Sequence, residues 1–338
     1  MNWKGSNNMK KVLVTGGAGF IGFHLAQYLS EFSLDITLID NFFRGENDKE
    51  LLELNKKENV RFVKADLTNP EELALLNGCF DYIYHLAAIN GTRNFYEKPF
   101  EVLRVNILTL INILNWINPN NCGKFLFTSS SETYAGTVNS FSEYKEFIPT
   151  KENIPLTIND VFNERNSYGG SKIAGELLTV NYCRTRKIPF SIIRYHNIYG
   201  PRMGFEHVIP EFSKRIYKRE NPFKIFGGED TRAFCYITDA VKATKLVMEN
   251  NKCDSEIINI GNNREEIRII DLAKKFLKLT KHDVAIDVEK APKGSVSRRC
   301  PNIDKLEKST TYKPEIDLDK GLQLTYNWYN SVFKARDI

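Results

Sequence analysis

KVLVTGGAGFIG, residues 11–22, is the stretch that decides the fold. An apolar run leads into Gly16, Gly19 and Gly22 at three-residue spacing, and a helical pattern follows at once. Glycine permits a tight turn there, lets the backbone approach a pyrophosphate, and lets the helix pack closely on the strand. The helix N-terminus adds unpaired N–H groups and the positive end of its dipole. The stretch therefore predicts a dinucleotide-binding turn between a strand and a helix.

The second apolar run, residues 36–39, indicates which dinucleotide binds. It ends in Asp40, 18 residues beyond Gly22. A carboxylate at this point accepts hydrogen bonds from the adenosine ribose and repels a 2′-phosphate, so it favours NAD over NADP. Arg44 argues for NADP instead, because a nearby arginine can accommodate that phosphate. We predict NAD.

The first half of the chain alternates between two patterns. Apolar, β-branched runs predict strands at 11–15, 35–39, 60–63, 82–86, 125–129 and 190–194. Helical patterns follow at 23–32, 69–76, 100–117 and 171–187. Such alternation is typical of an α/β protein with a Rossmann-type parallel sheet and helices on both faces. A ligand is expected at the carboxyl ends of the strands.

The alternation of strand and helix patterns ends after about residue 195. Breakers such as Gly200-Pro201 separate helical segments at 209–219, 238–249 and 270–278. We predict a polar tail at 1–8, an NAD-binding domain at 9–195 and a smaller, mixed C-terminal substrate lobe at 196–338. Residues of about 233–250 are expected to pack back on the first domain.

Composition excludes several classes of function. The chain has 338 residues, 42% hydrophobic and 26% charged, with a net charge of +5 and no long run of either sign. This charge is too mixed to indicate a nucleic-acid partner. The six cysteines are scattered, without the spacing of a zinc site or a disulfide framework, so no metal is expected. No apolar stretch has the length of a membrane span or a signal peptide, and a cytoplasmic protein is expected.

Tyr168 and Lys172 are the candidate proton-transfer pair. They stand four residues apart at the start of a helical pattern, so a phenol and an ammonium share one face. An ammonium favours the phenolate, and the positive nicotinamide ring of NAD would act in the same direction, so the tyrosine pKa is predicted to fall toward neutrality. Such a phenol takes a proton from a substrate hydroxyl while hydride leaves the same carbon for NAD. The stretch FLFTSSSETY, residues 125–134, adds three serines at the end of a predicted strand, where the ligand is expected.

With these elements the chain resembles the extended short-chain dehydrogenase/reductase family, in particular its nucleotide-sugar epimerases and dehydratases. The resemblance covers nearly the whole chain. It extends to YHLAA at 84–88, RYHNIYGPR at 194–202 and GEDTRAFCYITD at 228–239. It implies a tightly bound NAD, a nucleotide-diphosphate sugar as substrate, and a homodimer or larger assembly that pairs through the helices at 100–117 and 171–187.

The resemblance also assigns roles to individual residues. The implied catalytic residues are Tyr168, Lys172, Ser130 and Glu132. The implied cofactor contacts are Gly16, Gly19, Phe20, Ile21, Gly22, Asp40, Asn41, Asp66, Leu67, Ala87, Ala88, Asn106, Tyr168 and Lys172. The implied substrate contacts are Arg93, Asn197, Val208, Arg232, Arg298 and Arg299.

Ser131-Glu132 is where the sequence departs from some relatives. Dehydratases acting on dTDP-glucose carry Asp-Glu there, which argues against that reaction. Ser130-Ser131-Glu132 resembles the Thr-Ser-Glu of GDP-mannose dehydratases and UDP-glucuronate decarboxylases. However, NERNS at 163–167 does not resemble the decarboxylase sequence before the tyrosine. Glu132 is then either a base at sugar C5 or a brace for the loop.

We therefore expect an enzyme that oxidises C4 of a nucleotide-linked sugar, with 4-epimerisation as the outcome. One alternative is a 4-dehydrogenase that releases a 4-keto sugar, for example from a GDP-linked hexose or heptose used in a surface polysaccharide. Another is a 4,6-dehydratase of the GDP-mannose type. A different class, a non-catalytic NAD-binding regulator, is expected to lack Tyr168, Lys172 or Ser130, and this chain has all three.

Overall fold

The computed structural model describes residues 9–76, 78–140, 148–291 and 295–336; the predicted tail at 1–8 lies outside them. The strands in chain order are β1 Lys10–Thr15, β2 Leu34–Asp40, β3 Val60–Lys64, β4 Phe80–His85, β5 Cys122–Ser130, β6 Phe190–Tyr195, β7 Ile198–Tyr199, β8 Phe223–Phe226, β9 Thr231–Ala233, β10 Cys235–Tyr236, β11 Glu256–Ile260, β12 Glu266–Arg268, β13 Ile286–Glu289 and β14 Arg298–Arg299. Seven of them form one sheet in the order β11-β6-β5-β4-β1-β2-β3. Every pair in that sheet is parallel, which confirms the predicted fold class.

Helices cover both faces of this sheet. They are α1 Phe20–Leu29, α2 Lys49–Leu54, α3 Thr92–Glu97, α4 Pro99–Trp116, α5 Ala135–Ser140, α6 Asn166–Arg186, α7 Val208–Tyr217, α8 Ile237–Glu249, α9 Ile269–Thr280, α10 Asp304–Ser309 and α11 Leu318–Arg336. Short 3₁₀ turns occupy Pro70–Leu75, Ser131–Tyr134 and Asn251–Cys253. No helix in the described part of the chain has the length and apolar character needed to cross a bilayer.

Two apolar cores result because successive side chains of a strand point to opposite faces. Val12 and Val14 of β1 belong to the core that includes α1 and α8. Leu13, between them, belongs to the core that includes α4 and α6. Strands buried on both faces read as continuous apolar runs, which is why the sequence located them correctly.

The C-terminal half contributes to both parts of the molecule. β11 is the seventh strand of the large sheet, and α8 packs against α1. The remaining strands form small sheets: β7 with β10, β8 with β13, and β12-β9-β14. Helix α11 was not predicted from the sequence, and its buried face includes Gly321 and Thr325 among larger side chains. Those two residues interrupt the apolar stripe by which a helix is recognised.

Candidate functional site

A cleft of about 650 Å³ lies at the carboxyl edge of the large sheet. Its walls come from the glycine-rich turn after β1, the ends of β2, β4 and β5, the start of α6, and loops of the C-terminal half. In an open parallel sheet this edge is where ligands bind, because helix N-termini and strand ends converge there. The structure thus places the cleft where the sequence predicted a ligand.

The glycine-rich turn has the shape that a pyrophosphate needs. Gly16 has a φ of +70°, and a Cβ there would lie 2.9 Å from the backbone nitrogen of Ala87. A Cβ on Gly22 would lie 2.1 Å from the carbonyl oxygen of Gly16, a distance that no side chain tolerates. Gly19 precedes α1 without a side-chain cap, so the first N–H groups of the helix are available to a ligand. These residues fit NAD.

Asp40 holds two segments of the cofactor wall together. Its Oδ2 accepts a hydrogen bond from the Ala18 N–H at 3.1 Å, and its Oδ1 accepts one from the Phe42 N–H at 2.8 Å. Burial raises the pKa of this carboxyl. Arg44 is directed elsewhere, with its Nη2 3.4 Å from Oε2 of Glu206. Arg44, the residue that could favour NADP, is therefore paired with a carboxylate. Asp40 lines the cleft as predicted.

Cofactor choice gives the first prediction. The protein should bind NAD well ahead of NADP, because a 2′-phosphate would face the Asp40 carboxylate as a close like charge. Asp40→Asn should narrow the difference in affinity, whereas Asp283→Asn, which neutralises an exposed aspartate, should leave it unchanged. Affinities measured by titration at fixed salt test this, and equal wild-type affinities for the two cofactors would contradict it.

Tyr168, Lys172 and Ser130 meet at the floor of the cleft. Both α6 side chains are buried, and Ser130 lies close enough to the Tyr168 hydroxyl to act on the pKa of that phenol. The Lys172 Nζ donates to the carbonyl oxygen of Thr128 at 2.8 Å. The ring of Phe95 stacks on Tyr168 with 4.8 Å between centroids and fixes its orientation. The structure therefore brings together three residues that the sequence separates by 42 positions.

The predicted lowering of the tyrosine pKa is wrong for this structure. Burial raises the pKa of Tyr168, and the nearby Ser130 only partly opposes it. Burial also lowers the pKa of Lys172, to about 7. The ammonium lies 5.6 Å from the Tyr168 ring centroid and is directed to a carbonyl, so it does not offset the loss of solvent around the phenol.

Glu132 is held by two arginines. Arg299 donates to both of its oxygens, at 2.7 and 2.9 Å, and Arg165 donates to Oε1 at 3.0 Å. Burial would raise the pKa of Glu132, but the charges of Arg299 and Arg165 outweigh it and lower the pKa to about 2. Of the two roles left open for Glu132, this geometry favours the brace. Arg165 was not predicted from the sequence, because it lies just before α6 at the end of an irregular stretch.

Arg232 and Asn197 line the opposite wall with Val208. Arg232 donates through Nη1 to the carbonyl oxygen of Thr231 at 2.7 Å, and burial followed by the charge of Arg299 lowers its pKa to about 10. Asn197 donates through Nδ2 to the carbonyl oxygen of Ala233 at 3.1 Å. The guanidinium is thus fixed beside other arginines, where an anion would relieve their repulsion.

Three predicted contacts do not line the cleft. Arg93 is exposed and pairs with Glu97 through Nε at 2.7 Å. Arg298 donates to both carboxylate oxygens of Glu266, at 2.7 and 2.8 Å, outside the cleft. Asn106 is buried behind the wall, where it exchanges hydrogen bonds with the backbone of Ile89. The other predicted residues that do line the cleft are Phe20, Ile21, Asn41, Asp66, Leu67, Ala87 and Ala88.

The sequence pattern of the NAD dependent epimerase/dehydratase family matches residues 12–261. The chain belongs to this family. It is 32% identical to a UDP-N-acetyl-alpha-D-glucosaminuronate decarboxylase of Bacillus cytotoxicus, over 96% of this chain and 98% of that protein. It is 30% identical to a UDP-glucuronate 4-epimerase of Thermodesulfobacterium geofontis, over 94% of this chain and 95% of that protein.

A solved structure of the family agrees with this assignment. The UDP-glucuronic acid 4-epimerase of Bacillus cereus, in complex with UDP-glucuronic acid and NAD, superimposes with a TM-score of 0.79 at 27% identity. The match covers 95% of this chain and 99% of that one. The chain is an NAD-dependent enzyme of the nucleotide-sugar epimerase and dehydratase family, which confirms the predicted family and cofactor.

Proposed function

We propose that this enzyme is a nucleotide-sugar 4-epimerase that retains its NAD through the whole reaction. The observation that carries the proposal is that Tyr168, Lys172 and Ser130 line the same cleft as the glycine-rich turn. The Tyr168 and Ser130 side chains both line this cleft. A sugar hydroxyl placed between them has a proton acceptor and a second hydrogen-bond partner at one point.

The chain's own residues have distinct parts in such a reaction. The glycine-rich turn and Asp40 would hold NAD, which would supply an acceptor and donor of hydride for C4 of the sugar. Ser130 orients the C4 oxygen, and Tyr168 takes its proton and later gives it back. Lys172, fixed on the Thr128 carbonyl, stabilises the charge that develops on the phenol. Arg232 is proposed to hold the sugar diphosphate as the pivot about which the keto sugar turns.

The state of Glu132 argues against a 4,6-dehydratase. That reaction needs a base to take the proton from C5, and a carboxylate paired with two guanidinium groups is a poor base. Without removal of that proton, the reaction ends when hydride returns to C4. The geometry therefore supports epimerisation over elimination.

A second candidate is decarboxylation of a nucleotide-linked uronic acid. The specific observation is the surplus of positive charge around Glu132: Arg165 and Arg299 contact it, and Arg232 lies close enough to lower its pKa further. An anionic C5 substituent fits such a group by charge. Both reactions begin with the same oxidation at C4, so the site serves either outcome.

One experiment separates the outcomes. Purified protein, without added NAD, is incubated in D₂O with UDP-, GDP- and dTDP-linked hexoses and with UDP-linked uronic acids, and the products are followed by NMR and by absorbance of NADH. We expect the C4 epimer, no deuterium at C5 and no accumulated NADH.

Other results would assign another reaction. Release of CO₂ from a uronic acid, with deuterium at C5, would replace epimerisation by decarboxylation. A 4-keto-6-deoxy sugar with solvent deuterium would restore the dehydratase and give Glu132 a catalytic part. A single burst of bound NADH, with turnover restored only by an added keto acid or NAD, would establish the 4-dehydrogenase instead.

The predicted dimer stays a prediction. Helices α4 and α6 lie side by side on one face of the sheet and expose Phe100, Leu103 and Leu177. Apolar side chains on two adjacent helices support pairing with a second copy of the chain.

A further inference from the structure

A row of buried polar side chains crosses three neighbouring strands behind the catalytic residues. Ser129 of β5 pairs in register with Arg194 of β6, and Arg194 pairs with Asn259 of β11. All three are buried, as is Glu176 of α6, which lies against them. Burying a charged pair is costly, and a neutral, apolar packing is often as stable. The presence of Glu176 and Arg194 here therefore calls for a reason other than stability.

Glu176 is the centre of this row. Its Oε1 accepts hydrogen bonds from the Ser129 Oγ at 2.5 Å and from the Arg194 Nε at 2.8 Å, and its Oε2 accepts one from the Arg194 Nη2 at 2.6 Å. The Arg194 Nη1 continues to the Tyr134 hydroxyl at 2.7 Å. The carboxylate is thus held on both oxygens and has one orientation.

The position of Glu176 on α6 connects the row to catalysis. Tyr168, Lys172 and Glu176 follow one another at intervals of four, so they stand on one helix face, one turn apart. Lys172 lies between the phenol and the carboxylate. Ser129, which donates to Glu176, is adjacent in β5 to Thr128, whose carbonyl oxygen accepts from Lys172. The Lys172 ammonium is therefore bound to the residue of β5 next to the one that holds Glu176.

We propose that Glu176 is a positioning residue that keeps the ammonium of Lys172 charged and seated on the Thr128 carbonyl. The proposal rests on the proposed proton transfer through Tyr168 and Lys172. A buried ammonium without a nearby anion loses its proton, because the neutral amine has the lower free energy in a low dielectric. Glu176 supplies that anion without touching the substrate cleft, since Arg194 and Ser129 hold it behind the wall.

The groups around Lys172 support this assignment. On α6 they are Tyr168 and Glu176, on β5 the Thr128 carbonyl, and on β4 the ring of His85. Burial, with a smaller contribution from Lys172, lowers the pKa of His85 to about 3, so this ring is neutral. Burial lowers the pKa of Lys172, and the charge of Glu176 opposes that shift. On the far side of Glu176 lie the guanidinium of Arg194 and the phenol of Tyr134, whose pKa is raised by burial.

The test measures the charge of Lys172 directly. The protein is prepared with lysine labelled at ¹³Cε, and the signal that disappears in Lys172→Arg is followed against pH in the wild type and in Glu176→Gln. We expect the pKa of Lys172 to fall by about one unit in Glu176→Gln. Because the reaction needs the ammonium, the alkaline limb of the rate against pH should move to lower pH by the same amount. Glu53→Gln removes an exposed, ion-paired carboxylate and should change neither.

A second variant separates the effect of Glu176→Gln on Lys172 from an effect on folding. Glu176→Gln leaves Arg194 as an unpaired buried charge, and the double variant Glu176→Gln with Arg194→Gln removes both charges if the single variant does not fold. A downward shift is expected there too, smaller than in the single variant because a positive charge is removed along with the negative one. A Lys172 pKa that stays unchanged, while turnover falls with the melting temperature, would show a merely structural role and overturn the proposal. If the wild type acts on no nucleotide sugar, the proposed function fails, but the NMR titration still decides the part of Glu176.

Discussion

Tyr168→Phe should lower turnover by about 10² to 10⁴ while leaving NAD bound, because loss of a general acid or base typically costs that much. The substitution removes one oxygen and keeps the ring that stacks on Phe95, so the cleft retains its shape. The phenol is buried in the cleft that Ser130 also lines. The rate is measured on the nucleotide sugar that the wild type converts, and bound NAD by its absorbance after denaturation.

Tyr182→Phe is the matched control. Tyr182 stands on the same helix, and its hydroxyl donates to the carbonyl oxygen of Ile117 at 2.7 Å, away from the cleft. This variant should keep wild-type turnover. If Tyr168→Phe retained most of its activity under these conditions, the tyrosine would have no part in proton transfer, and another acceptor would have to be found.

Arg232→Ala should weaken binding of the nucleotide sugar by about 2–5 kcal/mol, the usual cost of truncating one member of a buried charge pair. The guanidinium is half-enclosed in the wall and already fixed by the Thr231 carbonyl, so little further ordering is needed when it meets an anion. Because it is proposed to contact the diphosphate rather than the reacting carbon, the loss should appear mainly in the dissociation constant. The rate at saturating substrate should change much less.

Calorimetry with the nucleotide sugar on the wild type and on Arg232→Ala tests this. Arg264→Ala is the control, because Arg264 is exposed, pairs with Glu307 and lies outside the cleft. An unchanged affinity in Arg232→Ala would assign the diphosphate contact to another arginine. A loss confined to the rate would place Arg232 near the reacting carbon.

Most of the fold was predictable from the sequence because its signals are local. Inner strands of the central sheet, such as β1 and β6, are short and mostly apolar runs, because they are buried on both faces. The glycines at 16, 19 and 22 report the turn because no other residue fits: at position 22 a Cβ would overlap the Gly16 carbonyl. The seventh strand was missed because its place beside β6 depends on elements far away in the chain, and α11 because Gly321 and Thr325 interrupt its apolar stripe.

Within the site, too, some residues could be predicted from local sequence and others depended on the tertiary structure. Gly16, Asp40, Ser130, Tyr168 and Lys172 could be chosen from the sequence because each follows a strand or begins a helix, and parallel strands bring those ends to one edge. The local sequence did not show which side chains would face the cleft. Arg93, Asn106 and Arg298 matched the family pattern, yet each is engaged by another group outside the cleft.

By itself, then, the sequence determined the βαβ architecture, the NAD-binding turn and the types of residue available for oxidation at C4. Only the tertiary structure decided their charge states and partners. Burial, which no spacing reveals, raises the pKa of Tyr168 and lowers that of Lys172. Arg165 and Arg299, 134 positions apart in the sequence, converge on Glu132 and hold it ionised. The physical reason is that secondary structure follows local periodicity, whereas the dielectric and the charges around a side chain are set by residues that the fold brings near.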